Sequence, residues 1–123
     1  MSQDVVADAL NQIMNAKKSR KTEVLIKRHS KFLINVLELM KKLEYVDYRV
    51  RGSELTIKIK NLNECKAIKP RFDVSADTID KYVRRFLPAK DFGVILISTS
   101  QGLMTHDKAL EKKIGGSLIA YIF

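Results

Sequence analysis

Between Ser30 and Lys60 the apolar residues of this chain change period, and that switch constrains its fold more than any other feature. Leu33, Val36, Leu37 and Met40 recur at helical spacing, predicting a helix to about Leu43. Ser30 suits its N-cap, because a serine hydroxyl accepts one of the free N–H groups of a first turn. The period then drops to two. Val46, Tyr48 and Val50 alternate with Asp47 and Arg49, and Leu55, Ile57 and Ile59 alternate with Thr56, Lys58 and Lys60. Arg51-Gly52-Ser53-Glu54 between the two runs is turn chemistry, so they predict a hairpin with Lys58 and Lys60 pointing outward.

Upstream, Val6, Leu10, Ile13 and Met14 form the stripe of a helix from about Gln3 to Ala16, with Asp4 and Asp8 where negative charge suits the helix dipole. Lys17-Lys18-Ser19-Arg20-Lys21 reads as a polar link, and Val24-Leu25-Ile26 as a short strand within Thr22–Lys27. The opening is therefore an α-β-α-β-β lobe, two helices covering one face of a small sheet. Asn61–Lys66 is a polar link, which places the division into lobes at 1–62 and 63–123. Ile68–Val74, broken by Pro70, reads as irregular or edge strand. Ser75 is the expected cap of a helix carrying Ile79, Tyr82, Val83 and Phe86 that stops before Pro88. Phe92–Ile97 predicts a buried strand ending in a hydroxyl-rich turn, Ser98-Thr99-Ser100-Gln101-Gly102. Thr105 is the expected N-cap of a helix through Lys113, Gly115-Gly116 its stop, and Leu118–Phe123 a last strand. The fold class is α+β, the second lobe β-rich with short helices.

At 123 residues and 46% apolar content, the chain fills a core without a disulfide or metal staple. Cys65 is the single cysteine and His29 and His106 the two histidines, too few for a four-ligand zinc site. No apolar run reaches the roughly 18–20 residues of a membrane span, and the start lacks a signal-peptide layout, so a soluble intracellular protein is expected. Its net charge of +9 is regional: residues 17–71 carry 16 bases and 6 acids, while the rest is nearly balanced. A basic region on a balanced fold suggests a docking face for a polyanion.

The residues offer little for catalysis. Phosphate-loop, dinucleotide, nucleophile-elbow and zinc-protease motifs are missing from the sequence. Asp73, Asp77 and Asp80 read as acids at a helix start rather than a metal cluster. His106, next to an N-cap, reads as a neutral hydrogen-bonding histidine, and Cys65 as inert packing. Lys17, Lys18, Arg20, Lys21, Lys27, Arg28 and Lys31 lie at element ends, where long cationic chains reach phosphates. The loop Ser98–Gly102 has two readings. It is either a Ser/Thr turn bonding its own backbone, which spacing alone favours, or a small-residue surface whose hydroxyls suit the shallow minor groove and riboses of RNA.

Two blocks resemble a known family. Ala7-Asp8-Ala9-Leu10-Asn11-Gln12-Ile13-Met14-Asn15-Ala16 is similar to the opening helix of the universal small-subunit ribosomal protein eight family. Ser98-Thr99-Ser100-Gln101-Gly102-Leu103-Met104-Thr105-His106, with Glu111, Gly115-Gly116 and a terminal apolar strand, is similar to its C-terminal signature. Lys69-Pro70-Arg71-Phe72-Asp73-Val74 resembles the archaeal and eukaryotic cytosolic branch. The resemblance implies a two-lobed, non-enzymatic structural constituent of the small ribosomal subunit. It would be cytoplasmic, without cofactor, membrane or small-molecule substrate, binding the central domain of the small-subunit rRNA, supporting its assembly and touching neighbouring ribosomal proteins. It implies RNA contacts at Ser98, Thr99, Ser100 and Gly102, and backbone contacts at Asn15 and, by position, at Lys17, Lys18, Arg20, Lys21 and Lys31. Ser117 stands where bacterial members carry an RNA-binding carboxylate, so no contact carries over to it. The alternative is a basic protein-interaction module without specific RNA recognition.

Overall fold

Up to Ile59 the elements run α1 (Val5–Lys18), β1 (Glu23–Ile26), α2 (Lys31–Lys42), β2 (Val46–Arg51) and β3 (Glu54–Ile59), in the α-β-α-β-β order that the periodicity predicts. The structure is a computed structural model that describes residues 5–27, 29–69, 71–89 and 92–123. Gln3 and Asp4 of the expected first helix, Arg28 of the basic set and Pro70 lie outside the described residues. The chain divides into two compact units, one ending at Cys65 and the other beginning at Lys66.

Ser30 caps α2 as expected, its hydroxyl accepting the Leu33 N–H at 3.2 Å, and Leu33, Val36, Leu37 and Met40 are fully buried. The antiparallel sheet has the order β1-β3-β2, with Ile57 opposite both Val24 and Tyr48, and Leu55 opposite both Ile26 and Val50. Directly opposed residues share a face. α1 packs on β1 and α2 on β2, closing that apolar face over Leu10, Ile13 and Val46. The Tyr48 hydroxyl donates to Glu38 Oε2 at 2.6 Å, tying β2 to α2. On the opposite face Lys58 stands between Glu23 and Asp47, and Thr56 between Leu25 and Arg49, with Lys58 exposed as predicted. Val50 departs from the alternation, because it adjoins the solvent-facing Gly52-Ser53 turn and is 42% exposed.

α1 continues two residues past its expected end, so Lys17 and Lys18 are helical rather than part of a link. Cations in a last turn meet the negative end of the helix dipole. The helix stops at Arg20, which adopts the left-handed conformation (φ 61°), while Lys21 N–H donates to the Ala16 carbonyl at 2.8 Å and Arg20 N–H to that of Lys17 at 3.0 Å.

The second unit contains β4 (Cys65–Ala67) from Lys66 onward, β5 (Asp73–Val74), a 3-10 turn (Ala76–Thr78) continuing into α3 (Ile79–Phe86), β6 (Val94–Thr99), β7 (Gly102–Thr105), α4 (His106–Lys112) and β8 (Gly116–Ile122). The sheet order is β4-β8-β6-β7, with β5 paired to β8. Ile95 and Ile97 of β6, Met104 of β7 and Leu118 of β8 are buried in one cluster with Ile79 and Val83 of α3.

Three expectations for this region differ from the structure. The link Asn61–Lys66 already carries buried Leu62 and the start of β4, since apolar residues inside a polar stretch still seek a core. Ser75 is the N-cap as expected, and Thr78 completes a capping box with it, its hydroxyl accepting the Ser75 N–H and donating to the Ser75 carbonyl, both at 3.1 Å. The buried strand begins at Val94, Phe92 being 43% exposed, and runs on through Ser98 and Thr99. Finally, Gly115-Gly116 does not stop α4. Lys113 does so in the left-handed conformation (φ 57°), and a Cβ on Gly116 would strike the Ser98 carbonyl, so that glycine is there for close strand approach. Among the described residues no helix is long and apolar enough to cross a membrane.

Candidate nucleic-acid interface

The expected hydroxyl-rich turn is the tip of a tight β-hairpin. Thr99 pairs with Gly102 and Ser98 with Leu103, leaving Ser100 and Gln101 as the connection. Gly102 has φ +111°, a conformation that side chains resist, which is why a glycine ends this tip. The Thr99 hydroxyl donates to the Gly102 carbonyl at 2.8 Å and accepts the Gln101 N–H at 3.1 Å. Thr99 therefore fulfils the self-bonding reading, and its hydroxyl braces the tip.

Ser98 and Ser100 differ from it. Ser98 lies opposite Ser117 of β8 as well as Leu103, so Ser98 and Ser117 share one face of the sheet. The Ser117 hydroxyl donates to Asp73 Oδ1 at 2.6 Å, so its proton is already committed. Ser100 is exposed at the tip, and beside it Lys112 Nζ donates to Gln101 Oε1 at 3.3 Å, fixing a cation next to the hairpin. Gln101 was part of the motif without a role of its own, and Lys112 was missed. No local signal marks Lys112, because only the β6–β7 register and the α4 start bring it to the tip.

In the first unit Asn15, Lys17, Lys18, Arg20 and Lys21 gather at the end of α1, all exposed. The left-handed Arg20 turns the chain so that Lys21 bonds back onto Ala16, concentrating cations within one turn of the helix end. Lys31 stands apart from this group, exposed on the first turn of α2.

The titratable groups that chemistry would need are occupied structurally. His106 is 3% exposed, its Nδ1 accepts the Ile95 N–H at 3.0 Å, and burial lowers its pKa against the opposing pull of Asp107 and Asp80. Burial pushes the Cys65 thiol up to about 12, and it points at the Leu10 carbonyl at 3.8 Å. Among the described residues no group of three His, Cys, Asp or Glu side chains is placed to hold a metal.

A braced hairpin with a cation beside it and a cluster of basic residues at the end of α1 are features suited to docking on a polyanion. The profile described as Ribosomal protein S8 matches residues 4–123. The chain is 40% identical to the small ribosomal subunit protein uS8 of the archaeon Nanoarchaeum equitans (strain Kin4-M), over all of both chains. It is 37% identical to the small ribosomal subunit protein uS8 of Eremothecium gossypii, over 97% of this chain and 96% of that one. The chain belongs to the ribosomal protein S8 family, a family of structural, non-enzymatic ribosomal components.

Proposed function

We propose that this protein sits in the small ribosomal subunit of the cytoplasm, binds the central domain of the small-subunit rRNA, supports its assembly and contacts neighbouring ribosomal proteins. The hairpin at Ser98–Gly102 carries the reading. A rigid two-residue tip, small side chains and the Ser100 hydroxyl suit the shallow minor groove of A-form RNA, where riboses present 2′-hydroxyls. Ser98, Ser100 and Gly102 make the close contacts, and Thr99 holds the tip in shape for them. Lys17, Lys18, Arg20, Lys21 and Lys31 supply phosphate contacts that add salt-sensitive affinity, and the neutral Asn15 adds a hydrogen bond to the RNA backbone. Full-length similarity to two uS8 proteins supports the placement.

Competition at fixed salt tests the proposal. A folded central-domain rRNA transcript should displace labelled RNA from the protein far better than an equal charge of unstructured polyanion. Equal displacement by both would instead describe a basic module docking on any acidic partner.

A further inference from the structure

Strand pairing lays one polar row across the sheet of the second unit, beginning beside the Ser98–Gly102 hairpin. Ser98 of β6 lies opposite Ser117 of β8, and Ser117 lies opposite Asp73 of β5. Directly opposed residues share a face, so Ser98, Ser117 and Asp73 line up on one side of the sheet, across two strand spacings or about 10 Å. Their chain neighbours Ile97, Leu118 and Val74 are buried in the apolar cluster with α3, on the other side. Asp73 is exposed and both serines are half-buried, which leaves the row open to a partner.

The bond from the Ser117 hydroxyl to Asp73 Oδ1, 2.6 Å long, sets the direction of further hydrogen bonds along this row. With its one proton given to Asp73, the Ser117 oxygen can only accept. A carboxylate offers about four acceptor positions and no donor, and Ser117 fills one of them. This end of the row therefore presents acceptors. Phosphate oxygens are acceptors as well and carry the same sign of charge as Asp73, so a phosphate is repelled here. A donor fits instead. The minor groove of A-form RNA displays ribose 2′-hydroxyls, each able to donate, and RNA seated on Ser98 finds Ser117 one strand spacing away, about 5 Å.

We propose that Ser117 and Asp73 extend the rRNA contact beyond the hairpin by accepting hydrogen bonds from ribose 2′-hydroxyls, with Asp73 holding Ser117 in its accepting state. The proposal rests on the rRNA-binding reading above and gives an acidic residue a selective role on a basic protein. Asp73 weakens attraction to polyanions in general and favours those that carry a ribose donor at this place.

Filter binding at fixed salt tests this with the full-length protein, Asp73→Asn and Ser117→Ala, each against a central-domain rRNA transcript and against heparin. Asparagine keeps an oxygen for the Ser117 proton, so β5 stays tied to β8, and thermal melts verify that both variants fold. A carboxylate that served only as a strand tie would, once neutralised, tighten binding to both polyanions alike. The proposal requires opposite signs. Asp73→Asn should bind heparin at least as tightly as the native protein does, and the transcript about tenfold more weakly. Ser117→Ala should bind the transcript about fivefold more weakly. In a series of rRNAs carrying single 2′-deoxynucleotides, at least one position should weaken binding of the native protein and leave Asp73→Asn unaffected. Transcript binding that is not weakened in either variant, or 2′-deoxy effects identical in the native protein and Asp73→Asn, overturns the ribose contact alone. A native protein with no preference for the transcript over heparin overturns the rRNA-binding reading together with it.

Discussion

His106 Nδ1 accepts the backbone N–H of Ile95 at 3.0 Å, while its Nε2 lies 3.3 Å from Asp107 Oδ1. Only a ring protonated at Nε2 alone satisfies both contacts, so the folded protein holds a neutral imidazole. Burial keeps the folded-state pKa below the ordinary 6.5, and the unfolded chain therefore takes up the proton first as pH falls. Stability from this group is full above about pH 6.5 and drains away as pH drops toward the folded-state value. Urea unfolding at pH 7 and pH 5 should show native stability falling with acid, and His106→Gln should reduce that pH dependence. At pH 7, His106→Ala should cost about 1–3 kcal/mol, because the buried Ile95 N–H loses its acceptor.

Three helices end on a non-glycine residue in the left-handed conformation: Arg20, Glu44 and Lys113. Each end carries the paired backbone bonds that normally accompany a glycine there. Glu44→Gly should raise unfolding stability by up to about 1 kcal/mol, since a left-handed L-residue costs roughly 1–2 kcal/mol and glycine's extra unfolded-state entropy returns part of it. Arg20→Gly should gain similarly in stability yet bind rRNA more weakly, and that split separates a fold cost from a functional cation. Thermal melts beside filter binding measure both.

Gly116 faces the Ser98 carbonyl so closely that β6 and β8 leave no room for a methyl group. Gly116→Ala should destabilise the second unit by about 1–3 kcal/mol or more, as overpacking does, and should lower rRNA affinity by displacing Ser98. Hydrogen exchange should show the loss of protection concentrated in β6 and β8 rather than in β1–β3.

Cations and hairpin should fail differently. Lys17→Ala or Lys21→Ala should weaken rRNA binding modestly and flatten its log–log salt slope by up to about one unit. Ser100→Phe should reduce specific binding strongly with the slope unchanged, because it blocks approach without removing charge. Equal slopes in the two sets of variants would dissolve this division of labour.

The parts of the fold set by local chemistry were legible in the sequence. Ser30 with the Leu33–Met40 stripe specified α2, the alternation specified β2 and β3, and Thr105 capped α4 through Lys108 N–H as expected. What escaped depends on partners distant in the chain. Lysines 17 and 18 suit a helix end and a link equally, and the deciding residue, Arg20, carries no glycine to announce the stop. Ser98 and Thr99 are at home in turns and strands alike, and only pairing with Gly102, Leu103 and Ser117 decides between them. Gly115-Gly116 looks like punctuation, yet its reason is the backbone packed against it. The candidate site was legible as a motif. Its internal arrangement, with Thr99 as brace and Lys112 as neighbour, was not.

The position of the Ser98–Gly102 hairpin in the assembled subunit decides how this protein holds RNA. A cryo-electron microscopy map of small subunits containing this chain reads that directly. The hairpin should rest in a minor groove of central-domain rRNA with the Ser98 or Ser100 hydroxyl within about 3 Å of a ribose or base atom. A map in which the tip faces bulk solvent, or packs only on protein, would contradict it.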